Sequence, residues 1–213
     1  MILLLITCAL GGYFIGSIPF GLVLCYLAGY GDIRKIGSGN IGATNVLRTG
    51  NKWLALLTVF LDAFKAGFAA YAAYKFVPNL TIFDSNTAEP LTLNTLASLV
   101  AGTAGIIGHN FPIWLKFKGG KGVASSFGFI LMTQWPVALI ALGVWLIMAI
   151  IFRYSSLAAL TAAASMPIIA FLMCPPVYAV FYSGIALLVI VRHHANIRRL
   201  IKGEESKISF KKK

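Results

Sequence analysis

The sequence predicts an all-α integral membrane protein: a bundle of seven transmembrane helices, some of them short, running from an outside N-terminus to a cytoplasmic C-terminus. Three observations lead there. Of 213 residues, 59% are hydrophobic and only 11% charged, against the ~25% charge of ordinary soluble domains. The apolar residues gather into segments of about 20, the length a helix needs to cross ~30 Å of hydrocarbon. The cations gather into short runs between those segments. A soluble globule and a disordered chain are both excluded by this composition. The whole of 1–213 reads as a single polytopic membrane domain.

Residues 2–29 form the first expected crossing. Met1 to Gly16 holds an apolar run without a positive leading region, and Thr7-Cys8 is a poor lipoprotein cleavage site, so this is a span and not a removable signal. Small residues at Gly12, Gly16, Ser17 and Gly21 fit ordinary bundle packing, and Gly12-x-x-x-Gly16 permits a close helix approach. Residues 53–77 form the second crossing. Asp62 and Lys65 lie three apart on one face of it, where buried charges are costly and are usually paired or functional. They read chiefly as a structural pair supporting a site, with direct substrate contact as the alternative. Residues 91–114 form the third. From 123 to 191, Trp135-Pro136, Arg153-Tyr154-Ser155-Ser156 and Cys174-Pro175-Pro176 cut the chain into four pieces.

Charge decides how those pieces cross. The 78–90 loop has no Lys or Arg and carries Asp84 and Glu89. By contrast 30–52 holds Arg34, Lys35, Arg48 and Lys52, 115–122 holds three lysines, and the tail beyond 191 holds eight cations. By the positive-inside rule the 78–90 loop is outside and the rest cytoplasmic. An outside N-terminus and an inside C-terminus require an odd number of crossings. If Arg153 is cytoplasmic, 123–152 goes out and returns at Trp135-Pro136, and 157–191 does the same at Cys174-Pro175-Pro176. The total is seven, with five as the alternative. Residues 123–134 would make a helix of only about 18 Å, too short to span unaided. Such a helix is tolerated where it is buried in protein or lines a cavity, so its shortness points to a site.

The net charge of +12 does not indicate nucleic acid, because the cationic runs form no continuous groove. Runs such as Lys211-Lys212-Lys213 suit anionic lipid headgroups. Cys8, Cys25 and Cys174 are scattered in apolar stretches without ligand spacing, so neither a disulfide framework nor a metal site is expected. No cofactor is implied, and no internal repeat stands out.

Three polar sets break the apolar pattern. In the first, Gly37-Ser38-Gly39-Asn40-Ile41-Gly42-Ala43-Thr44-Asn45 with Arg48 brings hydrogen-bonding side chains onto flexible backbone whose amides can form an anion nest. One capping residue would account for less of it. In the second, Gly108-His109-Asn110-Phe111-Pro112 leads to Phe117-Lys118-Gly119-Gly120-Lys121-Gly122-Val123-Ala124-Ser125-Ser126, a glycine run between lysines that opens the short helix. Amides at a helix N-terminus and two ammonium groups suit a phosphate. It is no Walker A loop, since Gly122 follows Lys121 where Ser or Thr is required. The third is Arg192-His193-His194-Ala195-Asn196-Ile197-Arg198-Arg199-Leu200, continuing to Glu204-Glu205-Ser206-Lys207. Helical spacing puts His193 and Asn196 on one face, where an imidazole can exchange a proton and an amide can orient a hydroxyl. No carboxylate or thiol joins the three histidines at metal-ligand spacing. All three sets, with Ser155-Ser156, lie on the expected cytoplasmic face, where they can converge on one pocket for a phosphorylated amphiphile.

In these residues the sequence resembles a known family, the acyl-phosphate-dependent glycerol-3-phosphate acyltransferases of bacteria, the PlsY family. The resemblance is carried by Gly37-Ser38-Gly39-Asn40 with Gly42-Ala43-Thr44-Asn45, by Gly108-His109 through Phe117-Lys118-Gly119-Gly120-Lys121-Gly122-Val123-Ala124, by Tyr154-Ser155-Ser156-Leu157, and by Arg192-His193-x-x-Asn196-Ile197-x-Arg199-Leu200. The four blocks in order cover most of the chain. The longish acidic 78–90 loop is the one departure, and it lies away from the site.

The resemblance implies seven membrane helices in the bacterial cytoplasmic (inner) membrane, with the active site on the cytoplasmic face. It implies transfer of a fatty acyl group from acyl phosphate to the 1-position of glycerol 3-phosphate, giving lysophosphatidic acid and phosphate, in phospholipid synthesis. The expected partners are these two substrates and membrane lipid, with no nucleic acid, in a monomer open to contact with the enzyme that makes its acyl phosphate. Catalytic work is expected of His193, Asn196 and Ser38, the serine as a ligand-binding donor. Substrate binding is expected of Gly39, Asn40, Thr44, Asn45, Arg48, His109, Lys118, Gly119, Gly120, Lys121, Gly122, Ser125, Ser156 and Glu205. The His-x-x-x-x-Asp motif of other glycerolipid acyltransferases is missing, since Trp114, Arg198 and Arg199 stand five places after the three histidines. A transporter for a phosphorylated solute is the alternative class, but its polar groups should line a path to both faces.

Overall fold

The computed structural model describes residues 1–83 and 90–208, which leaves Asp84, Glu89 and the Phe210-Lys211-Lys212-Lys213 tail outside the described residues. The chain divides into two compact units, Met1–Thr133 and Gln134–Lys213, where the sequence reads as one domain.

In the first unit α1 (Ile2–Gly16) and α2 (Phe20–Leu27) are separated by Ser17-Ile18-Pro19. The expected first crossing is therefore a broken one, because Pro19 has no N–H to continue the helix and disfavours helical backbone at Ile18. A loop with a 3-10 turn at Ile33–Lys35 leads to the single turn α3 (Ala43–Val46) and a 3-10 turn at Leu47–Thr49. Asn51 caps α4 (Lys52–Phe76), its side chain accepting from the Leu54 N–H at 3.0 Å. Strands β1 (Thr81–Phe83), in the expected 78–90 loop, and β2 (Leu91–Thr92), the first two residues of the expected third crossing, pair antiparallel, a small ribbon among otherwise helical elements of the described residues. Then come α5 (Leu93–Asn110), a 3-10 turn at Ile113–Leu115, and α6 (Val123–Thr133). The second unit holds α7 (Trp135–Phe152), α8 (Ser155–Met173), α9 (Pro176–Arg192) and α10 (His194–Ile201). Its boundaries fall at the breaks seen in the sequence, with Pro136 and Pro176 in the first turns of α7 and α9.

Among the described residues five stretches are long and apolar enough to cross a membrane: Ile2–Leu27, Lys52–Phe76, Leu93–Leu115, Trp135–Phe152 and Ser155–Met173. A sixth results only if α9 and α10, bent by 60°, are counted together. The 11 residues of α6 fall short. Large apolar side chains point outward, as on α7 at Leu139, Ile140, Leu146, Ile147, Ile150 and Ile151, a surface that only lipid would cover without penalty. Hydroxyls fold back on their own helices, Thr58 onto the Leu54 carbonyl and Thr161 onto that of Leu157.

Packing in the first unit depends on small residues. A Cβ at Gly12 would overlap the Ala101 carbonyl and one at Gly16 the Gly105 backbone. The two helices α1 and α5 thus meet backbone to backbone, as Gly12-x-x-x-Gly16 suggests. Helix α4 packs on both α5 and α6.

Candidate active site

The first polar loop rests on a buried apolar floor of Leu22, Cys25, Ile33, Ile41, Val46 and Ala55, against which Leu115 also packs. That shared floor places the chain after α5 beside the 33–48 loop. Asn45 folds the loop. Its Nδ2 donates to the Ile33 carbonyl at 2.7 Å and the Ile36 carbonyl at 3.2 Å, and its Oδ1 accepts from the Ser38 N–H at 3.2 Å. Only 1% exposed, it spends both amide hydrogens on backbone carbonyls and holds the loop that carries Ser38 and Arg48. Ser38, Gly39, Thr44 and Arg48 are exposed on that scaffold. Gly37 has a φ of +55° and lies so close to Arg48 that a Cβ would overlap Nη1, so glycine there gives the guanidinium room. The Asn40 Oδ1 is buried without a hydrogen-bond partner among the described residues.

The second set begins at the end of α5. Tyr13 donates from its hydroxyl to the Phe111 carbonyl at 2.8 Å. Lys116 and Phe117 both take positive φ, 52° and 62°, a rare conformation for such residues that turns the chain sharply before the glycines. The Gly119 N–H then donates to the Asn110 carbonyl at 3.1 Å and the Gly120 N–H to the His109 carbonyl at 3.0 Å. These two amides are engaged within the protein. The glycines are needed for closeness: a Cβ at Gly119 would overlap the His109 carbonyl, and one at Gly120 would overlap His109 Nε2. Gly122 has a φ of +83°, and a Cβ there would sit 2.7 Å from Asn110 Oδ1. Lys118 is exposed and Lys121 partly so. Ser125 is fully buried with its Oγ unpartnered among the described residues.

Behind this loop lies a buried cluster. The Lys65 ammonium is 2.8 Å from Asp62 Oδ1, 2.8 Å from the Ile18 carbonyl in the α1–α2 break, and 2.9 Å from His109 Nδ1. The Phe20 ring lies 5.7 Å from it. The spacing of Asp62 and Lys65 revealed the pair, and nothing in the sequence revealed its link to His109. Asn110 was likewise not singled out, although it is fully buried with both amide atoms unpartnered among the described residues.

The third set lies in the second unit. His193 closes α9 and starts α10, buried, with Nδ1 2.7 Å from the Val189 carbonyl. A carbonyl only accepts, so Nδ1 carries the proton and Nε2 is the accepting nitrogen of the neutral ring. Glu205 Oε1 accepts from Asn196 Nδ2 at 2.6 Å and from Ser156 Oγ at 2.7 Å, and Oε2 accepts from Arg199 Nε at 2.6 Å. The carboxylate would repel a phosphate. Ser156 and Asn196 share one oxygen of Glu205, which fixes the Asn196 amide.

A family model described as "Glycerol-3-phosphate acyltransferase" matches residues 6–203. The chain belongs to the glycerol-3-phosphate acyltransferase family. The acyltransferase is 54% identical to a glycerol-3-phosphate acyltransferase of Rhodospirillum rubrum over 99% of this chain and 94% of the relative. It is 51% identical to one of Paramagnetospirillum magneticum over 98% and 96%. Two crystal structures of PlsY, an integral membrane glycerol 3-phosphate acyltransferase, match its fold. The glycerol 3-phosphate form matches with a TM-score of 0.84 at 35% identity, covering 96% of both chains. The lysophosphatidic acid form matches with a TM-score of 0.83 at 34% identity, covering 96% and 95%. The acyltransferase is therefore an integral membrane enzyme of phospholipid synthesis.

Proposed function

We propose that this enzyme transfers a fatty acyl group from acyl phosphate to the 1-hydroxyl of glycerol 3-phosphate, releasing lysophosphatidic acid and inorganic phosphate. One observation carries the proposal: relatives of the same fold have been solved in a glycerol 3-phosphate form and a lysophosphatidic acid form, and these two molecules differ by one acyl group. The donor is acyl phosphate because the four sequence blocks resemble the acyl-phosphate-dependent enzymes.

The chain acts as one membrane domain of seven membrane segments, with α6 as the short one, the N-terminus outside and the polar blocks facing the cytoplasm. Its place is the bacterial inner membrane. It works as a monomer and can receive its donor from the enzyme that makes it. Support comes from the cation-free 78–90 loop against the cationic remainder.

Acyl phosphate is a mixed anhydride and needs no serine nucleophile. The glycerol hydroxyl attacks the acyl carbon, a C–O bond forms, the acyl–phosphate C–O bond breaks, and phosphate leaves. Arg48 and one of Lys118 or Lys121 hold the phosphate of glycerol 3-phosphate, the guanidinium in a bidentate contact. Ser38, Gly39, Asn40, Thr44, His109, Gly122 and Ser125 complete the binding set. His193, with Nε2 as acceptor, and Asn196, anchored on Glu205, orient the attacking hydroxyl, whose proton passes to a substrate phosphate. The test is phosphate release by detergent-purified protein. Release and lysophosphatidic acid should appear only when both substrates are present, and no release under verified substrate loading would favour transport.

A further inference from the structure

Asp62 and Lys65 are buried in α4, 3% and 2% exposed, and neither belongs to the binding set above. Charges so placed are costly inside a membrane protein and are seldom kept for stability. The ammonium has three donors and no acceptor, and it meets three acceptors: Asp62 Oδ1, the Ile18 carbonyl and His109 Nδ1. His109 Nδ1 also lies 3.5 Å from Asp62 Oδ1, but the Lys65 ammonium is nearer, at 2.9 Å, and can only donate, so Nδ1 is the accepting nitrogen and the ring proton sits on Nε2. The alternative, an imidazolium sharing Asp62 with the ammonium, gives one carboxylate two cations and sets those cations 2.9 Å apart at low dielectric.

Fixing this ring fixes more than the ring. Nε2 lies against Gly120, where a Cβ would overlap it, and the Gly119 and Gly120 N–H groups donate to the Asn110 and His109 carbonyls. The loop carrying Lys118 and Lys121 is therefore molded on His109.

We propose that Asp62 and Lys65 are positioning residues for the glycine loop: they hold His109 as its Nε2–H tautomer against Gly120, so that Lys118 and Lys121 meet a substrate phosphate in one arrangement. The lysine roles rest on the proposed function, whereas the tautomer does not. Nitrogen-15 NMR of histidine-labelled protein in detergent reads the tautomer without turnover, with His109 assigned by the signal lost in His109→Asn. An unprotonated Nδ1 and a protonated Nε2 at neutral pH are expected. The reverse tautomer or an imidazolium overturns the proposal, and neither result bears on the transferase reaction.

The double variant Asp62→Asn/Lys65→Met removes both charges without stranding one. It should elute and melt like the parent while the KM for at least one phosphate substrate rises tenfold or more and kcat changes less. A folded double variant with both KM values within threefold of the parent overturns the loop-positioning role. If it does not fold, the tautomer of His109 in the parent decides: a protonated Nδ1, which could not accept from Lys65, sinks the proposal.

Discussion

Asn196 Nδ2 donates a 2.6 Å hydrogen bond to Glu205 Oε1, joining the turn after α10 back to the face of that helix. With Ser156 and Arg199 on the same carboxylate, this fixes the amide proposed to orient the glycerol hydroxyl. Glu205→Gln keeps the shape but weakens a charge-assisted acceptor and replaces one oxygen with an NH2 group that faces either Arg199 or the Ser156 and Asn196 donors. Loss of about 10- to 100-fold in kcat/KM is expected, the scale of a small misplacement of a reacting group. A glutamine variant with parental kcat/KM would mean that Asn196 holds its place without Glu205.

The same carboxylate predicts an acid transition. Burial by itself would raise the Glu205 value, but hydrogen bonds from Ser156, Asn196 and Arg199, with the Arg199 charge, outweigh it and hold the group below its ordinary 4.5. A lowered folded value stabilises the folded state at neutral pH, and that contribution fades as pH falls from 4.5 through the lowered value. The melting temperature should drop across that window, less steeply in Glu205→Gln. Asp32, pushed down to about 2 by Arg34, contributes equally to both proteins and cancels in their difference. Parallel melting curves would remove Glu205 as a contributor.

Gly120→Ala should impair substrate binding, because even one methyl group collides with His109 Nε2. A KM increase of about tenfold is expected in protein that still elutes as a folded species. Gly143→Ala is the control: nothing lies within 4 Å of a Cβ there, and alanine favours the α7 helix by about 0.5–1 kcal/mol. If both variants behave alike, the loop at Gly120 is free to move aside.

Arg48→Lys tests the bidentate contact. Lysine keeps the charge and loses the fork, so the KM for glycerol 3-phosphate should rise about tenfold, the effect of roughly 1.4 kcal/mol, with kcat little changed. An unchanged KM would assign Arg48 to general surface charge.

For topology, cysteine at position 84, in the 78–90 loop, should react with an impermeant thiol reagent in intact cells lacking the native thiols, and cysteine at position 206 should not. The opposite pattern would invert the proposed orientation.

How far the residues announce the structure depends on the range of the interaction. The proline and polar breaks at 135–136, 153–156 and 174–176 mark helix ends because backbone chemistry is local. Gly12-x-x-x-Gly16 marks a face with room for another backbone, but not that α5 is the helix that fills it. Pro19 breaks the first apolar run, yet the run is long enough to read as unbroken when apolar length alone is weighed. The link from Lys65 to His109 spans 44 positions and depends on how α4 and α5 meet, which no local pattern encodes. Asn45 and Ser38 look alike as loop polar residues, and only burial assigns one to the scaffold and leaves the other exposed. The glycine run suggested free amides, but the ends of those hydrogen bonds are carbonyls of α5.

His193 Nδ1 donates to the Val189 carbonyl, so Nε2 can accept from the attacking hydroxyl either as a hydrogen-bond partner or as a base. The leaving group is a phosphate with a second pKa of about 6, able to take the proton itself, and the donor is already activated, so a strong protein base adds little. His193→Gln separates the two roles, since the amide oxygen reaches the Nε2 region and accepts a hydrogen bond but takes up no proton near neutral pH. Loss of a general base typically costs about 10²- to 10⁴-fold. Retention of roughly a tenth of kcat or more, with both KM values near the parent, is the expected result. A fall of about a thousandfold with normal substrate binding would make His193 the base and end the substrate-assisted mechanism.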